Sequence, residues 1–287
     1  MSLYYSAKRE LKILRWQARR ASAALRWGAG WQKQVPAVVG NAMPKSGSHL
    51  IIQALQGLTH LGPFVNPGFP PLNRTEDNRK LEEEAILENI RRLRHGDIAY
   101  GYIHACEPFL SALNSPEMAS VFVYRDPRDM IISHIFYATQ IHEGHWMRDY
   151  YTQKLQTMEQ RINAAIVGVD EPGSELTPVR ERYAGYLGWL EQLAVLSLRF
   201  EDLILDQEAT LGRLLDYLSL HGFTPRVSRA EAVAQLQQAI APSRSGTFRK
   251  AKPGNWREHF TEANKALFKE HAGDLLIDLG YETSGDW

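Results

Sequence analysis

A lysine, two serines and a glycine follow a short apolar run near residue 40, and residues of these types can bind an anion. The run that begins at Ala37 predicts a strand, and apolar residues at helical spacing after Gly47 predict a helix. A loop between them points backbone N–H groups at one spot, adds the positive end of the helix dipole, and brings the Lys45 ammonium. The sequence therefore predicts a site for a phosphate or another tetrahedral oxyanion. The loop lacks the spacing of a Walker P-loop.

Pro44–Lys45–Ser46–Gly47 after a strand resembles the 5′-phosphosulfate loop of sulfotransferases that use 3′-phosphoadenosine 5′-phosphosulfate (PAPS). That family usually reads Pro-Lys-Ser-Gly-Thr-Thr-Trp, and this chain continues with Ser48, His49 and Leu50. The resemblance implies that the loop binds the 5′-phosphosulfate. The implied contacts are Lys45, Ser46, Gly47, Ser48 and His49. Because Leu50 stands where the family tryptophan packs against adenine, we expect this chain to build its adenine site differently.

A second strand, from Asp97 to Ile103, runs into His104, and Pro108 suits the first turn of a short helix after it. A histidine at a strand end is by itself most often structural. In the family, however, a strand at this position ends in a catalytic histidine. The resemblance therefore implies that His104 is the general base. Tyr102 departs from the family, which often has a lysine two residues before the histidine.

A third apolar strand ends before Arg125, and Asp126 and Pro127 can cap and begin the helix that follows. Ligands of open parallel sheets bind at the carboxyl ends of strands, where Arg125 stands. Alone, this pattern also fits a surface arginine beside a helix cap. Arg-Asp-Pro-Arg-Asp followed by serine resembles the family's 3′-phosphate motif, which implies that Arg125 and Ser133 hold the 3′-phosphate. The resemblance also implies that Ser133 holds Lys45 back until the acceptor binds.

A fourth strand, from Ala194, ends at Phe200, whose ring fits either the core or, by the resemblance, the neighbourhood of adenine. The stretch from Gly246 to Trp256 resembles the family's closing signature, Arg-Lys-Gly-(x)2-Gly-Asp-Trp. It implies that Arg249 and Lys250 give a second hold on the 3′-phosphate. We expect Phe248 and Phe200 to build the adenine site.

Together the motifs imply in-line transfer of a sulfuryl group from PAPS to an acceptor hydroxyl, or less favourably an amine. His104 would remove the acceptor proton, while Lys45 and the amides of residues 46–49 would stabilise the leaving 5′-phosphate. This chemistry needs no metal. Strands alternating with helices predict an α/β fold with a mostly parallel central sheet covered by helices on both faces. The resemblance adds the P-loop NTPase-like sulfotransferase architecture.

The composition agrees with an ordinary globular enzyme. The 287 residues have a formal net charge of zero, which does not favour nucleic acid as a partner. One cysteine, Cys106, excludes an internal disulfide and fits a reducing compartment. Without an apolar stretch of transmembrane length or a signal-peptide pattern, we expect a cytoplasmic protein.

Residues 1–33 are basic and helical in pattern, so we expect a basic N-terminal helical extension there and a single sulfotransferase domain over 34–287. Two interpretations of this helix stay open. It can pack on the domain with its bases in water, or contact an anionic membrane or an acidic carrier. The family's dimer motif is broken after Trp256, so the sequence leaves the oligomeric state open.

Three other functions fit parts of the sequence. A nucleotide or small-molecule kinase has a similar loop–helix phosphate site but needs Mg²⁺ ligands that the sequence does not show. A non-catalytic nucleotide-binding module would dock through the basic helix. Cys106 could act as a thiol nucleophile. His142 and His145 lack further metal ligands nearby, and we expect them to be solvated or to face the acceptor.

Overall fold

One parallel sheet, in the order β2-β1-β3-β4, joins four strands. They are β1 (Ala37–Ala42), β2 (Ile98–Gly101), β3 (Met118–Tyr124) and β4 (Val195–Arg199). This is seen in the computed structural model, which describes residues 3–241 and 252–287. Gly40 of β1 lies in register with Tyr100 on one side and Val121 on the other. Every residue of β1 is buried, as in central parallel strands covered on both faces. The four predicted strands and the parallel α/β class are confirmed.

The backbone divides into two compact units, Met1–Tyr124 with Gly188–Ser245, and Arg125–Leu187 with Gly246–Trp287. The first unit contains the sheet and begins with α1 (Leu3–Trp27), α2 (Ala29–Gln32), α3 (Ser48–Gly57), α4 (Glu83–Arg91) and α5 (Phe109–Leu113). The second unit then holds α6 (Pro127–Phe136), α7 (Met158–Val167) and α8 (Val179–Leu187). The chain returns to the first unit for β4, α9 (Phe200–Leu205), α10 (Gln207–Leu220) and α11 (Arg229–Ala239). It ends in the second unit with α12 (Glu262–Asp278).

Local capping signals place the helices that matter most for function. The Asp126 side chain accepts a hydrogen bond from the Arg128 amide, and Pro127 is the first residue of α6, as predicted. Pro108 directly precedes α5, also as predicted. The chain after β3 therefore enters a helix at once.

The sequence pattern predicts helices over 149–167 and 176–193, and in the structure both are shorter. The helix expected over 149–167 is interrupted, with a π-helical turn over Tyr150–Lys154 and a new start at α7. Helix α7 begins with a capping box, in which the side chains of Thr157 and Gln160 each accept a hydrogen bond from the other residue's backbone N–H. The helix expected over 176–193 ends at Leu187. There Trp189 leaves the helical pattern and donates its indole N–H to the carbonyl of Ile103.

The basic helix α1 packs through one face within the first unit. Trp16 is buried, and its indole donates a 2.9 Å hydrogen bond to Asp97, which also pairs with Arg20 at 2.7 Å. Lys12 pairs with Glu76 at 2.6 Å. These contacts support the packed-helix interpretation for this face. Contact of α1 with a membrane or an acidic carrier stays a prediction.

Within the described residues, no helix combines the length and apolar character needed to span a bilayer.

Candidate active site

The loop that joins β1 to α3 has two residues in the left-handed region of backbone conformation. Lys45 has a φ of 69° and Gly47 a φ of 88°. A lysine in this region is uncommon and marks a turn whose surroundings dictate its shape. Gly47 is also enclosed, because a Cβ built there would lie 2.3 Å from a ring carbon of Phe200. The loop therefore has a defined conformation that requires glycine at position 47.

Polar groups of this loop are placed to bind an oxyanion. The Ser46 side chain is fully buried, and its hydroxyl has no hydrogen-bond partner among the described residues. The Ser46 amide, which we expected to face the phosphate, donates instead to the Met43 carbonyl at 3.1 Å. Ser48 and His49 begin α3, where the first amides of a helix lack an intrahelical acceptor. The hydroxyl of Ser46 and these two amides are hydrogen-bond donors of the kind that bind phosphate oxygens.

His49 is held in its neutral form beside this loop. Partial burial lowers the pKa of its imidazole below the usual value, and the Lys45 ammonium lowers that pKa further. A neutral His49 adds no charge, so the helix terminus and Lys45 supply the positive potential at the loop.

The segment that carries His104 is fixed by two buried side chains. The Asn41 amide accepts from the Ile103 N–H at 2.8 Å and donates to the Ile103 carbonyl at 2.9 Å. The Trp189 indole N–H donates to the same carbonyl at 2.8 Å. Asn41 is 2% exposed and Trp189 1% exposed, so these hydrogen bonds are shielded from water. The residue just before His104 is therefore held on both of its backbone groups.

His104 itself is exposed, and its electrostatic surroundings favour the neutral ring. Although the residue is exposed, surrounding protein atoms displace part of the water around the ring, which lowers the pKa of the imidazole, and the nearby Lys80 ammonium lowers it further. A neutral imidazole can accept a proton, which is the chemical requirement for a general base near neutral pH.

An open cleft of about 390 Å³ lies against the first turns of α3 in the first unit. Its described lining residues are His49, Ile52, Gln56, Asn66, Gly68, Phe69, Pro71, Asn78, Tyr100 and Tyr102. None of these is a lysine, arginine, aspartate or glutamate, so the cleft suits an uncharged molecule with apolar and hydrogen-bonding parts. The Pro- and Gly-rich stretch after Leu61 supplies part of this wall.

Tyr102 links the cleft to the phosphate loop. Its hydroxyl lies 3.2 Å from the Ser48 hydroxyl at the start of α3. Asn73 fixes its backbone, accepting from the Tyr102 amide at 3.1 Å and donating to the Tyr102 carbonyl at 2.8 Å. The tyrosine therefore presents a hydroxyl between the loop and the cleft.

In the second unit, Arg125 is buried at the start of α6. Its guanidinium Nη2 lies 3.7 Å from Asp129 Oδ2, and its backbone carbonyl accepts a 2.9 Å hydrogen bond from the Tyr183 hydroxyl. Ser133 is in α6, eight residues after Arg125, and is half-buried. Of the two predicted 3′-phosphate residues, Ser133 is thus within the helix and Arg125 lies two residues before its first residue.

Arg128, the second arginine of this motif, has a structural environment. It is 2% exposed, pairs with Asp126 at 2.7 Å and Glu282 at 2.6 Å, and lies over the rings of Trp256 and Trp287. A guanidinium so enclosed holds the C-terminal segment on α6.

Comparison with known proteins identifies the family. The family model "Sulfotransferase domain" matches residues 38–280, which is most of the chain. The chain belongs to the sulfotransferase family. Flavonol 3-sulfotransferase of Flaveria bidentis is 23% identical over 205 residues, covering 62% of this chain and 61% of that protein. The match thus spans about three fifths of the relative's length.

Solved sulfotransferase-like structures share the fold. The crystal structure of mouse sulfotransferase SULT7A1 complexed with PAP has a TM-score of 0.60 at 14% identity, covering 87% of this chain and 86% of that one. A retinol dehydratase in complex with androsterone and inactive cofactor PAP has a TM-score of 0.54 at 15% identity, covering 86% and 83%. At such identities the likeness shows the fold, which agrees with the predicted sulfotransferase architecture.

The sulfotransferase motifs lie in both units. The first unit contains the loop residues Lys45 to His49, together with His104 and Phe200. The second contains Arg125 and Ser133. The motif residues Phe248, Arg249 and Lys250 lie outside the described residues, so their roles stay predictions. Phe200 is buried against Gly47, which agrees with the core interpretation; its contact with adenine stays a prediction.

The structure also bears on the two histidines and the cysteine singled out in the sequence. His145 was expected in solvent or facing the acceptor, but it is buried, stacked on Trp146 at 4.0 Å, and accepts a hydrogen bond from the Met147 amide. His145 is therefore not solvated, and whether it faces the acceptor stays a prediction, whereas His142 is exposed. The described residues contain no cluster of metal-binding side chains. For Cys106, burial and then Glu83 and Glu107 raise the thiol pKa, which disfavours a nucleophilic thiolate.

Asn41, Trp189 and Asp129 are the site residues that sequence reasoning missed. Asn41 carried a signal, because it is the single polar side chain in an otherwise apolar strand. Such a residue in a buried strand needs partners, and Ile103 supplies them.

Proposed function

We propose that this protein transfers the sulfuryl group of PAPS to a hydroxyl of an uncharged acceptor. The observation that carries the proposal is the loop between β1 and α3, where left-handed Lys45 and Gly47 flank Ser46, whose buried hydroxyl has no hydrogen-bond partner among the described residues. Because the chain belongs to the sulfotransferase family, this oxyanion site favours phosphosulfate over the γ-phosphate of a kinase substrate. PAPS is then a co-substrate and 3′-phosphoadenosine 5′-phosphate (PAP) a product.

The nucleotide would be held by the residues of the sulfotransferase motifs. Lys45, Ser46, Gly47, Ser48 and His49 would contact its 5′-phosphosulfate. Arg125 and Ser133 would hold the 3′-phosphate, with Arg249 and Lys250 as a second hold, since the planar guanidinium meets phosphate bidentately. Phe200 and Phe248 would border adenine in place of the tryptophan that Leu50 replaces. The PAP-bound structural neighbours support a nucleotide of this kind.

In the transfer step, the acceptor oxygen forms a bond to sulfur while the bond from sulfur to the 5′-phosphate oxygen breaks. His104 takes the acceptor proton, and its lowered pKa keeps it neutral and ready to do so. Lys45 and the amides that begin α3 stabilise the charge left on the 5′-phosphate. Ser133 is proposed to restrain Lys45 until the acceptor is in place. No metal takes part in this scheme.

The acceptor would occupy the cleft beside α3. Its uncharged lining, with Phe69, Tyr100 and Tyr102 among amide side chains, suits an alcohol or phenol. The curated relative is named as a flavonol sulfotransferase, which supports an acceptor of this kind. We also propose the cytoplasm as the compartment, because the chain has one cysteine.

Transfer of sulfur-35 from labelled PAPS to a panel of uncharged phenols and alcohols tests the proposal. The wild type should label at least one class of acceptor. His104→Ala should lower the rate by about 100-fold or more, the range of general-base catalysis, while PAP affinity stays unchanged. An equal rate in wild type and His104→Ala would contradict the role of His104.

A further inference from the structure

Asp129 is a buried carboxylate beside the arginine that our proposed function assigns to the 3′-phosphate. The residue is 1% exposed, and its Oδ2 atom lies 3.7 Å from Arg125 Nη2. That distance is too long for a hydrogen bond but short enough for a strong ionic interaction inside the protein. A carboxylate in such a position must have a partner, because an uncompensated buried charge is costly.

Two backbone amides fix the orientation of this carboxylate. Gly254 donates its N–H to Oδ2 at 2.7 Å, and Trp256 donates its N–H to Oδ1 at 2.8 Å. Both oxygens are therefore engaged from a segment about 125 residues further along the chain. With both oxygens held, Asp129 has little freedom to rotate.

The pKa of this carboxyl reflects opposing influences. Burial, the largest, and the nearby Asp126 carboxylate raise the pKa of Asp129 above its usual value, and Arg125 and the amides of Trp256 and Gly254 oppose that rise. Tyr183 holds Arg125 from the other side, through the Arg125 carbonyl. The Arg125 backbone is thus restrained by Tyr183, and the Arg125 guanidinium is attracted by the Asp129 carboxylate.

We propose that Asp129 is the positioning residue for Arg125, holding the guanidinium in the orientation that receives the 3′-phosphate of the nucleotide. This inference rests on the proposed function. It adds a residue that touches neither the nucleotide nor the acceptor and acts only through Arg125. Its consequence is selective: Asp129 should matter for nucleotides with a 3′-phosphate and not for those without one.

The test compares PAP with adenosine 5′-monophosphate (AMP), which lacks the 3′-phosphate, by calorimetric titration of the full chain. Wild type should bind PAP at least about 100-fold more tightly than AMP, as expected for a charge-assisted phosphate contact. Asp129→Asn keeps the shape of the side chain but loses its charge and one acceptor. It should lower the PAP preference about tenfold and leave AMP affinity unchanged.

Two further variants separate positioning from folding. Glu282→Gln removes one of the two carboxylate partners of Arg128, in the same unit, and should keep the full PAP preference. Arg125→Ala should abolish the preference, and adding Asp129→Asn to it should change nothing further, because the two residues act through one contact.

The outcomes are distinct. If Asp129→Asn keeps the PAP preference, or weakens PAP and AMP equally, the positioning role is overturned. If wild type itself shows no preference, the proposed function fails and this inference fails with it. Should Asp129→Asn not fold, the carbon-13 shift of the Asp129 carboxyl in the wild type decides. It should move on PAP binding and not on AMP binding, and equal movement would overturn the proposal.

Discussion

The side-chain amide of Asn41 hydrogen-bonds to both backbone groups of Ile103, accepting at 2.8 Å and donating at 2.9 Å. Asn41 is in the central strand β1, and Ile103 immediately precedes His104. The Trp189 indole donates a second hydrogen bond to the Ile103 carbonyl. The position of the proposed base is therefore set from the core of the sheet.

Asn41→Ala should affect stability and catalysis together. It removes the acceptor of the buried Ile103 N–H, which should lower the free energy of unfolding by about 1–3 kcal/mol in urea titrations. Because His104 loses its anchor, sulfuryl transfer should slow by about tenfold while PAP affinity stays within about twofold.

Tyr217→Phe is the matched control for Asn41→Ala. The Tyr217 hydroxyl bonds the backbone of Ser120 and the carbonyl of Ala194, in the same unit. Its loss should lower stability without changing the transfer rate. An unchanged transfer rate in Asn41→Ala would remove the positioning role of this asparagine.

Gly47→Ala should disrupt the phosphate loop. Position 47 has a φ of 88°, and a new Cβ would lie 2.3 Å from the Phe200 ring. The residue would be strained by about 1–2 kcal/mol from the backbone alone, and the clash with Phe200 adds to this. Calorimetry should show a large loss of PAP affinity, with a lowered melting temperature.

Gly173→Ala separates these two effects, because Gly173 has a φ of 81° but a Cβ added there would meet no atom within 4 Å. This control should show the backbone strain without loss of PAP binding. Normal PAP affinity in Gly47→Ala would show that the loop does not bind the nucleotide.

The acid limb of the pH profile should report His104. A general base works when neutral, so kcat/KM should rise as pH increases through the His104 pKa. Partial burial and Lys80 lower this pKa, which places the limb below the ordinary histidine value of about 6.5. Lys80→Gln should move the limb to higher pH, because one of the two causes of the lowered pKa is removed.

Lys33→Gln removes an exposed lysine that does not contribute to the lowered pKa of His104, so its profile should match the wild type. If Lys80→Gln does not shift the acid limb of the kcat/KM profile, a group other than His104 causes that limb.

The structural elements that could be predicted from the sequence are those determined by residues close to one another in the chain. Apolar runs marked the four strands, and Asp126 and Pro127 marked the start of α6, because caps and periodicity act within a few residues. The loop at Lys45 was predicted for the same reason. The sequence shows a glycine at position 47, and the loop conformation depends on that glycine.

The parts missed depend on contacts between distant residues. Asn41 and Ile103 are 62 positions apart, Trp189 and Ile103 are 86 apart, and Asp129 and Trp256 are 127 apart. No local pattern encodes such pairs. His145 was expected in solvent or facing the acceptor, because no further metal ligands stand near it in the sequence, yet it is buried against Trp146.

Titration of the purified chain with PAP, in the absence of Mg²⁺, tests the central claim most directly, because it needs no knowledge of the acceptor. We expect binding that Lys45→Ala and Arg125→Ala each weaken by about tenfold or more, as charge-assisted contacts to phosphate require. Failure to bind PAP, or a preference for ATP with Mg²⁺, would contradict a PAPS-dependent sulfotransferase.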